Sequence, residues 1–405
     1  MTTKRTRTRT VRTILDPFFT PGRIARPGAR GVVLFLLAMA PVALAAADSL
    51  SGYAIPEPGV KFEFPRDHGS HPRFRVEWWY VTGHLWDEQA RRYGFQATFF
   101  RTAAPHRLPE AAARGVASPN FGTDHLFLSH LALLDVASAR FLHEERLHRE
   151  GWAAGAATNT LHVWNGGSSL VLTQAVGLEQ MHLRAAIRAE ASWDLQLTAA
   201  KPLVVFGTNG VSRKGETSTA ASHYLTFPRL DVSGRLTVAG TTRTVRGQAW
   251  MDHEFSSSQL SAGQSGWDWV SVQLAEGREI MAYRMRRKDG TTDPFSTLAW
   301  VGRDGHVIHQ PAGAFELMPL ARWKSPGSGA EYPLGLALRA QDPETGTAVE
   351  YRLIPLARDQ ELPGRIGDVP YWEGACRVED VVGREVGSAF VELTGYAGDL
   401  AGRLR

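Results

Sequence analysis

Short strand-like segments separated by turn residues run through the chain from Val76 onward, and they constrain the fold more than any other feature. Asn165-Gly166-Gly167 lies between two such segments, in the pattern of a tight β-hairpin. Gly240-Thr241-Thr242 and Glu276-Gly277 mark further turns of the same kind. No stretch has a sustained helical period. The sequence therefore predicts an all-β protein with about sixteen to eighteen antiparallel strands.

The length of the chain and the number of predicted strands indicate two domains. The chain has 405 residues, which is enough for two domains of ordinary size. So many antiparallel strands favour two barrels or sandwiches over one. The small, polar segment Ser256–Ser265 is the best candidate for a linker. We expect an N-terminal domain over residues 56–257 and a C-terminal domain over residues 258–400.

Residues 1–45 have the organisation of a secretory signal. Eight Lys and Arg residues precede the apolar run Gly31–Ala45, which is too short for a comfortable membrane span. Ala43-Leu44-Ala45 fits a small-x-small cleavage site. We expect cleavage, a mature chain that begins at Ala46 or Asp48, and a periplasmic or secreted location. An uncleaved membrane anchor is the alternative.

Charge and cysteine content bear on several classes of partner and site. The net charge of +4 comes from residues 1–45, because the rest of the chain has 37 Lys and Arg against 40 Asp and Glu. A nucleic-acid partner is therefore not expected. The only cysteine, Cys376, excludes an intramolecular disulfide and a cysteine-based zinc site. No phosphate-binding loop, GxSxG or HExxH motif occurs, and we expect neither a metal nor a cofactor.

Glu77-Trp78-Trp79-Tyr80 is the first cluster of polar and aromatic residues that could form a site. On a strand, Glu77 and Trp79 share one face and Trp78 and Tyr80 the other. One row would line a barrel while the other points outward. The structural alternative is a Trp that packs the barrel, with Glu77 paired to an arginine such as Arg101, since buried carboxylates usually have partners.

The second cluster is Trp250-Met251-Asp252-His253-Glu254. Strand alternation places Trp250, Asp252 and Glu254 on one face and His253 on the other. Two carboxylates on one face repel each other, and an interior position would raise the pKa of one of them. We expect Asp252 to lie inside the N-terminal barrel or at its mouth with a raised pKa, as a general acid requires. An ionic link at the domain boundary is the alternative.

Several further residues are weaker candidates. Trp267 and Trp269 share one face of a third cluster. The lone histidines of SHLALLD and SHYL, His130 and His223, are more often core residues than functional ones. His68 and His71 are predicted to be exposed loop residues rather than a metal pair.

Seven segments together resemble the AttH/CrtC-like lipocalin family. They are EWWYVTGHL (77–85), GFQATFFR (94–101), SHLALLD (129–135), GQAWMDHEFS (247–256), GWDWVSVQLAEG (266–277), YWEGACRVE (371–379) and VELTGYAG (391–398). The family includes carotenoid 1,2-hydratases, also called hydroxyneurosporene synthases, and exported proteins labelled as predicted secreted hydrolases. The resemblance spans roughly residues 56–400. It implies two lipocalin-like (calycin) antiparallel β-barrels in tandem.

The resemblance also implies roles for particular residues. The hydratases of this family are thought to use a His, a Trp, a Tyr and an Asp. The His and Asp match His223 and Asp252, whereas the Trp and Tyr positions fall on Leu225 and Trp250. Asp252 would be the acid, His223 its proton partner or the base for the attacking water, and Trp250 a ring that faces a carbocation. The two altered aromatic positions argue against hydration of a carotenoid specifically.

Three functions follow from the resemblance. The first is binding of a long apolar ligand, an isoprenoid, polyene or lipid, with acid-catalysed hydration of its double bond, as by a hydro-lyase. The second is a non-catalytic periplasmic lipid carrier or an accessory protein of an ABC-type transporter. The third, hydrolysis, has no nucleophile or metal set to support it. Whether the chain is an enzyme stays open. The ligand-binding residues expected are Glu77, Trp78, Tyr80, His130, Trp267, Trp269 and Gln273.

Overall fold

A computed structural model describes residues 52–103, 125–366, 369–398 and 400, and the regular structure in these ranges is almost entirely β-strand. They contain 23 strands and two short 3-10 helices, Arg66–His68 and Ala312–Ala314, and no α-helix. None of the described helices has the length and apolar character needed to cross a membrane. The prediction of an all-β chain is confirmed. The predicted secretory signal lies outside the described residues.

The first sheet contains thirteen strands. They are β1 (Val76–Asp87), β2 (Arg92–Ala103), β3 (His125–Asp135), β4 (Arg140–Arg149), β5 (Ala154–Ala156), β6 (His162–Asn165), β7 (Ser168–Gln174), β8 (Gln180–Ile187), β9 (Ala191–Ala199), β10 (Val204–Phe206), β11 (Ser212–Arg213), β12 (Ala221–Val238) and β13 (Thr241–Ser258). Their order is β4-β3-β2-β1-β13-β12-β9-β8-β7-β6-β5, with β10 and β11 paired to β12.

This sheet curls until it is nearly closed into a barrel. Its two ends meet where Asn165 Nδ2 of β6 donates to the carbonyl oxygens of Phe127 on β3 and Arg146 on β4, each at 3.1 Å. Alternating apolar residues such as Trp79, Val81 and Met251 fill the interior. Burial of these side chains is the main source of the barrel's stability.

The second sheet contains ten strands. They are β14 (Gln264–Leu274), β15 (Glu279–Arg287), β16 (Thr297–Val301), β17 (Val307–Pro311), β18 (Phe315–Lys324), β19 (Glu331–Gln341), β20 (Ala348–Pro355), β21 (Glu361–Leu362), β22 (Tyr371–Glu379) and β23 (Glu385–Leu393). Their order is β17-β16-β15-β14-β23-β22-β20-β19-β18, with β21 paired to β22. The chain passes from the first sheet to the second between Ser258 and Gln264.

A buried layer between the two sheets positions the candidate site. Its residues come from the outward face of the first sheet and from the facing side of the second, and they include Tyr80, Tyr224, Trp250, Trp269 and Tyr283. The layer is rich in aromatic side chains with polar ends, which usually find hydrogen-bond partners when they are buried. The space between the sheets is therefore suited to a site that combines apolar walls with fixed polar groups.

Candidate functional site

A cavity of about 160 Å³ lies between the two sheets. Its walls come from β1, β2, β12 and β13 of the first sheet and from β14, β15, β22 and β23 of the second. Aromatic side chains dominate, and several carboxylates are set among them. The residues used below are Trp78, Tyr80, Phe100, Lys214, Tyr224, Asp252, Glu254, Trp267, Trp269, Met285 and Glu392.

Asp252 lies on the outward face of the first barrel, against the second sheet. Trp250 shares this face and belongs to the layer between the sheets, whereas the neighbouring Met251 belongs to the barrel core. Trp250, Asp252 and Glu254 share one face, as predicted. The expectation that Asp252 lies inside the barrel or at its mouth is wrong. Alternation shows which residues share a face, but packing decides which face is the interior.

Asp252 is almost completely buried and accepts three hydrogen bonds. Tyr224 Oη donates to Oδ2 at 2.6 Å, and Thr226 Oγ1 and Trp250 Nε1 each donate to Oδ1 at 2.7 Å. Burial raises the pKa of Asp252 to about 7, with Glu254 adding to the rise, although the three hydrogen bonds oppose it. The predicted rise in pKa is confirmed, and Asp252 exchanges protons near neutral pH.

Glu254, the second carboxylate on this face, is paired with a cation. Lys214 Nζ lies 3.3 Å from Glu254 Oε2, and the hydroxyl of Ser222 donates to the same oxygen. The Lys214 ammonium also lies 4.7 Å and 4.0 Å from the ring centroids of Tyr224 and Tyr283. Glu254 is thus neutralised by a positive charge, which allows both carboxylates to be buried side by side.

His223 does not contact Asp252. Its ring lies on the opposite face of β12, where Nδ1 donates to the carbonyl oxygen of Gly210 at 2.7 Å and the ring packs 5.2 Å from Phe255. The predicted role of His223 as proton partner of Asp252 is therefore wrong. In the register of the hairpin, Thr226 lies opposite Asp252 and His223 lies opposite Phe255. Tyr224, the residue that follows His223, contacts Asp252 together with Thr226.

His223→Ala should leave the pKa of Asp252 close to 7, whereas Tyr224→Phe should raise it further. The Tyr224 phenol stabilises the ionised carboxylate by donating to Oδ2, and His223 has no contact with it. Infrared titration of the protonated carboxyl stretch, assigned with Asp252→Asn, measures this pKa. Equal shifts in the two variants would contradict the assignment of Tyr224 over His223.

Trp250 supports Asp252 instead of facing a ligand. Its indole nitrogen is used by Asp252, its ring packs 6.2 Å from Trp269, and it is not among the residues that line the cavity. Trp250 therefore does not face the cavity, and its predicted role as the ring that faces a carbocation is wrong. Trp269 lines the cavity instead, and its Nε1 donates to Tyr224 Oη at 3.0 Å.

Four of the predicted ligand-binding residues line the cavity as side chains of its two walls: Trp78, Tyr80, Trp267 and Trp269. Two others do not line it. His130 is buried behind it with Nδ1 hydrogen-bonded to Tyr371 Oη at 2.7 Å, and Gln273 donates to the carbonyl oxygens of Pro228 and Ala249. Those two side chains brace the packed strands, the more frequent outcome for buried polar groups.

Glu77 borders the cavity, but its carboxylate belongs to a separate buried cluster. Arg101 Nε donates to Glu77 Oε2 at 2.9 Å, and His253 Nε2 lies 3.0 Å from Oε1. Burial opposes ionisation, yet hydrogen bonds from His253 and His71 and the charge of Arg101 hold the pKa of Glu77 well below its usual range. The predicted Glu77–Arg101 pair is confirmed. The assignment of Glu77 to ligand binding stays a prediction, although its carboxylate already accepts hydrogen bonds within this cluster.

The cluster around Glu77 brings together His71 and His253, which are far apart in the sequence. Ligand atoms of His71, Glu77 and His253 lie within 4.8 Å of one another. A divalent cation there would lie beside the Arg101 guanidinium, so the arrangement fits a buried ion pair better than a metal centre. The prediction that His68 and His71 are exposed is wrong. His68 is buried with Nε2 2.7 Å from Glu179 Oε1, and His71 is half-buried with Nδ1 3.0 Å from Glu77 Oε1.

Two carboxylates of the second sheet escaped the sequence analysis. Glu392 on β23 lines the cavity, and Trp267 Nε1 donates to its Oε2 at 2.8 Å. Burial raises the pKa of Glu392 to about 7, and Glu254 adds to the rise. Glu373, opposite it on β22, accepts a hydrogen bond from Tyr80 Oη, and burial raises its pKa well above the usual range. Each of these strands contains two Glu residues, Glu373 and Glu379 on β22 and Glu385 and Glu392 on β23, and the sequence pattern does not single out Glu373 or Glu392.

Comparison with known proteins gives a consistent result. The sequence profile of the AttH-like family matches residues 55–396. The crystal structure of a protein assigned as an AttH from Nitrosomonas europaea is 33% identical, with a TM-score of 0.73, over 85% of this chain and 99% of that one. Kievitone hydratase from Nectria haematococca is 15% identical, with a TM-score of 0.61, over 85% and 99%. No curated protein matches the chain.

Proposed function

Because this chain belongs to the AttH-like family and has its lipocalin-like fold, we propose that it binds an apolar unsaturated molecule between its two sheets and adds water to a double bond. The observation that carries the proposal is Asp252, a buried carboxylate with a pKa near 7 on the wall of an aromatic cavity. A hydratase shares the fold, which agrees with this type of chemistry.

The walls of the cavity support an apolar ligand. Trp78, Phe100, Trp267, Trp269 and Met285 all line it. Cavities of this kind bury most of a small molecule against hydrophobic and aromatic side chains, and a few polar groups orient it. Here those polar groups are carboxylates and phenols, which fits a ligand whose reactive group is a carbon–carbon double bond.

Asp252 has the properties needed to protonate such a double bond. In its acid form it transfers a proton to one alkene carbon, which leaves a carbocation on the other and a carboxylate on Asp252. The rings of Trp269 and Tyr224 stabilise the cation through their π faces. A carboxyl group with a pKa near the working pH holds the proton yet releases it readily. Water then adds to the cation.

A non-catalytic lipid carrier is the second candidate. The observation that favours it is the complete set of hydrogen bonds to Asp252, because Tyr224, Thr226 and Trp250 all donate to it and could serve only to join the strands. In that case the cavity would hold its ligand without change. A role beside an ABC-type transporter, after export directed by residues 1–45, would suit either candidate.

The test is incubation of purified protein, residues 46–405, with geranylgeraniol, an isoprenoid with trisubstituted double bonds. A product heavier by one water, detected by mass spectrometry, is the result expected for a hydratase. Organic extracts of the protein purified from its native host are analysed in parallel. An intact lipid in the extract together with no product would favour the carrier.

Turnover should fall as the pH rises above about 7. Asp252 must be protonated to act as the acid, and its pKa is about 7 in the folded protein. Above that value the protonated fraction, and with it the rate, falls by about tenfold per pH unit. Initial rates between pH 6 and pH 9 measure the effect. A rate that stays constant over this range would exclude Asp252 as the acid.

A further inference from the structure

A second titratable carboxylate faces the cavity from the sheet opposite Asp252. Glu392 has one oxygen held by Trp267 Nε1, and its other oxygen, Oε1, has no hydrogen-bond partner among the residues that the structure describes. Glu392 lies directly across β14–β23 from Trp269, so the two side chains are neighbours on one face. A carboxylate with a free oxygen in an aromatic cavity is available to a ligand or to a water.

We propose that Glu392 is the general base that takes the proton from the attacking water, with Asp252 as the acid on the facing wall. This inference rests on the proposed hydratase function and supplies a role that His223 cannot fill. Trp269 Nε1 donates to Tyr224 Oη, and Tyr224 donates to Asp252, so the two carboxylates lie at opposite ends of one row of aromatic side chains. Ligand and water would occupy the cavity between them.

The other carboxylates near the cavity are less suited to this role. Glu254 is neutralised by Lys214 and accepts from Ser222. Glu373 is not among the lining residues, and burial raises its pKa well above the usual range, which disfavours the ionised form that a base requires. The charged and titratable groups that act on Glu392 or respond to it are Glu254, Glu373, Tyr80 and Tyr371.

The balance of the reaction agrees with two carboxylates of opposite protonation state. Asp252 loses a proton to one alkene carbon, and a carbon–hydrogen bond forms. The water oxygen bonds to the other carbon, and its proton passes to the Glu392 carboxylate. At the end Asp252 is ionised and Glu392 protonated, so one proton exchanged through solvent restores both. Because both groups titrate near pH 7, the required pair of states is populated at neutral pH.

Incubation with geranylgeraniol in D₂O separates the two roles. Glu392→Gln should lower formation of the hydrate by about 100-fold or more, because general base catalysis contributes factors of this size. It should still introduce deuterium into the recovered alkene, since Asp252 protonates it reversibly. Glu385→Gln, on the same strand but at the surface, is the control and should match the wild type. Hydration by Glu392→Gln at the wild-type rate would overturn the inference.

Ligand binding provides a measurement that does not depend on turnover. N,N-dimethyldodecylamine carries a positive charge at neutral pH and resembles the cation, and dodecyl methyl ether is its neutral counterpart. Glu392→Gln should weaken binding of the amine by tenfold or more and leave binding of the ether unchanged. Equal affinity of wild type and variant for the amine would overturn the role of Glu392. Absence of product with the wild-type protein would instead count against the proposed function.

Discussion

Replacement of Arg101 by leucine is expected to lower the free energy of unfolding by about 3–5 kcal/mol. Arg101 is fully buried, and its Nε donates to Glu77 Oε2 at 2.9 Å. Its Nη2 also donates to the carbonyl oxygens of His71 and Phe74, at 3.1 Å and 2.8 Å. The variant leaves the buried Glu77 carboxylate without its arginine partner and leaves the carbonyl oxygen of Phe74 without a donor, whereas that of His71 still accepts from the backbone N–H of Phe74.

Chemical denaturation of the wild type and of Arg101→Leu at neutral pH measures the loss of unfolding free energy. Arg384→Leu is the matched control, because Arg384 is exposed and its pair with Asp380 lies at the surface. Exposed pairs contribute about 0–1 kcal/mol. A loss for Arg101→Leu no larger than that of the control would show that Glu77 does not depend on the arginine.

Asp252→Asn should lower turnover by about 10²–10⁴-fold while leaving ligand binding nearly unchanged. An amide cannot act as the acid, but it occupies the same space. Its oxygen can still accept from Trp250 Nε1, a group that only donates, and from Thr226. Its nitrogen can donate to Tyr224 Oη, whose hydroxyl hydrogen is free to rotate. The fold is therefore expected to tolerate the change.

The same variant separates a catalytic role of Asp252 from a structural one. Its melting temperature and its retention of geranylgeraniol are measured beside its rate, with Asp231→Asn, at an exposed position of β12, as the control. A large fall in melting temperature without loss of chemistry would assign Asp252 a structural role. Breaking a buried charged network of this kind typically costs about 3–5 kcal/mol.

The alternation of side chains along each strand was enough to predict many of the strands and some of the residue pairs near the site from the sequence. Turn residues at Asn165-Gly166-Gly167 separate β6 from β7 as predicted. Trp250 and Asp252 share a face, and Glu77 pairs with Arg101 across β1 and β2. Each of these properties depends on residues close in sequence or on adjacent strands of one hairpin. Period-two geometry and turn chemistry are enough to predict them.

Only the tertiary structure decided which residues surround Asp252. A bulge between Phe227 and Leu230 shifts the register of the β12–β13 hairpin, and in this register Tyr224 and Thr226, not His223, contact the carboxylate. Glu392 reaches the same cavity from the second sheet. Strand patterns carry no information on the register of a bulged pair, on which face of a sheet another sheet will cover, or on which distant strands will pack together. These features depend on the burial of apolar surface between segments that are distant in the sequence. The hydrophobic effect has no direction, so a local pattern does not show which segments will pack together.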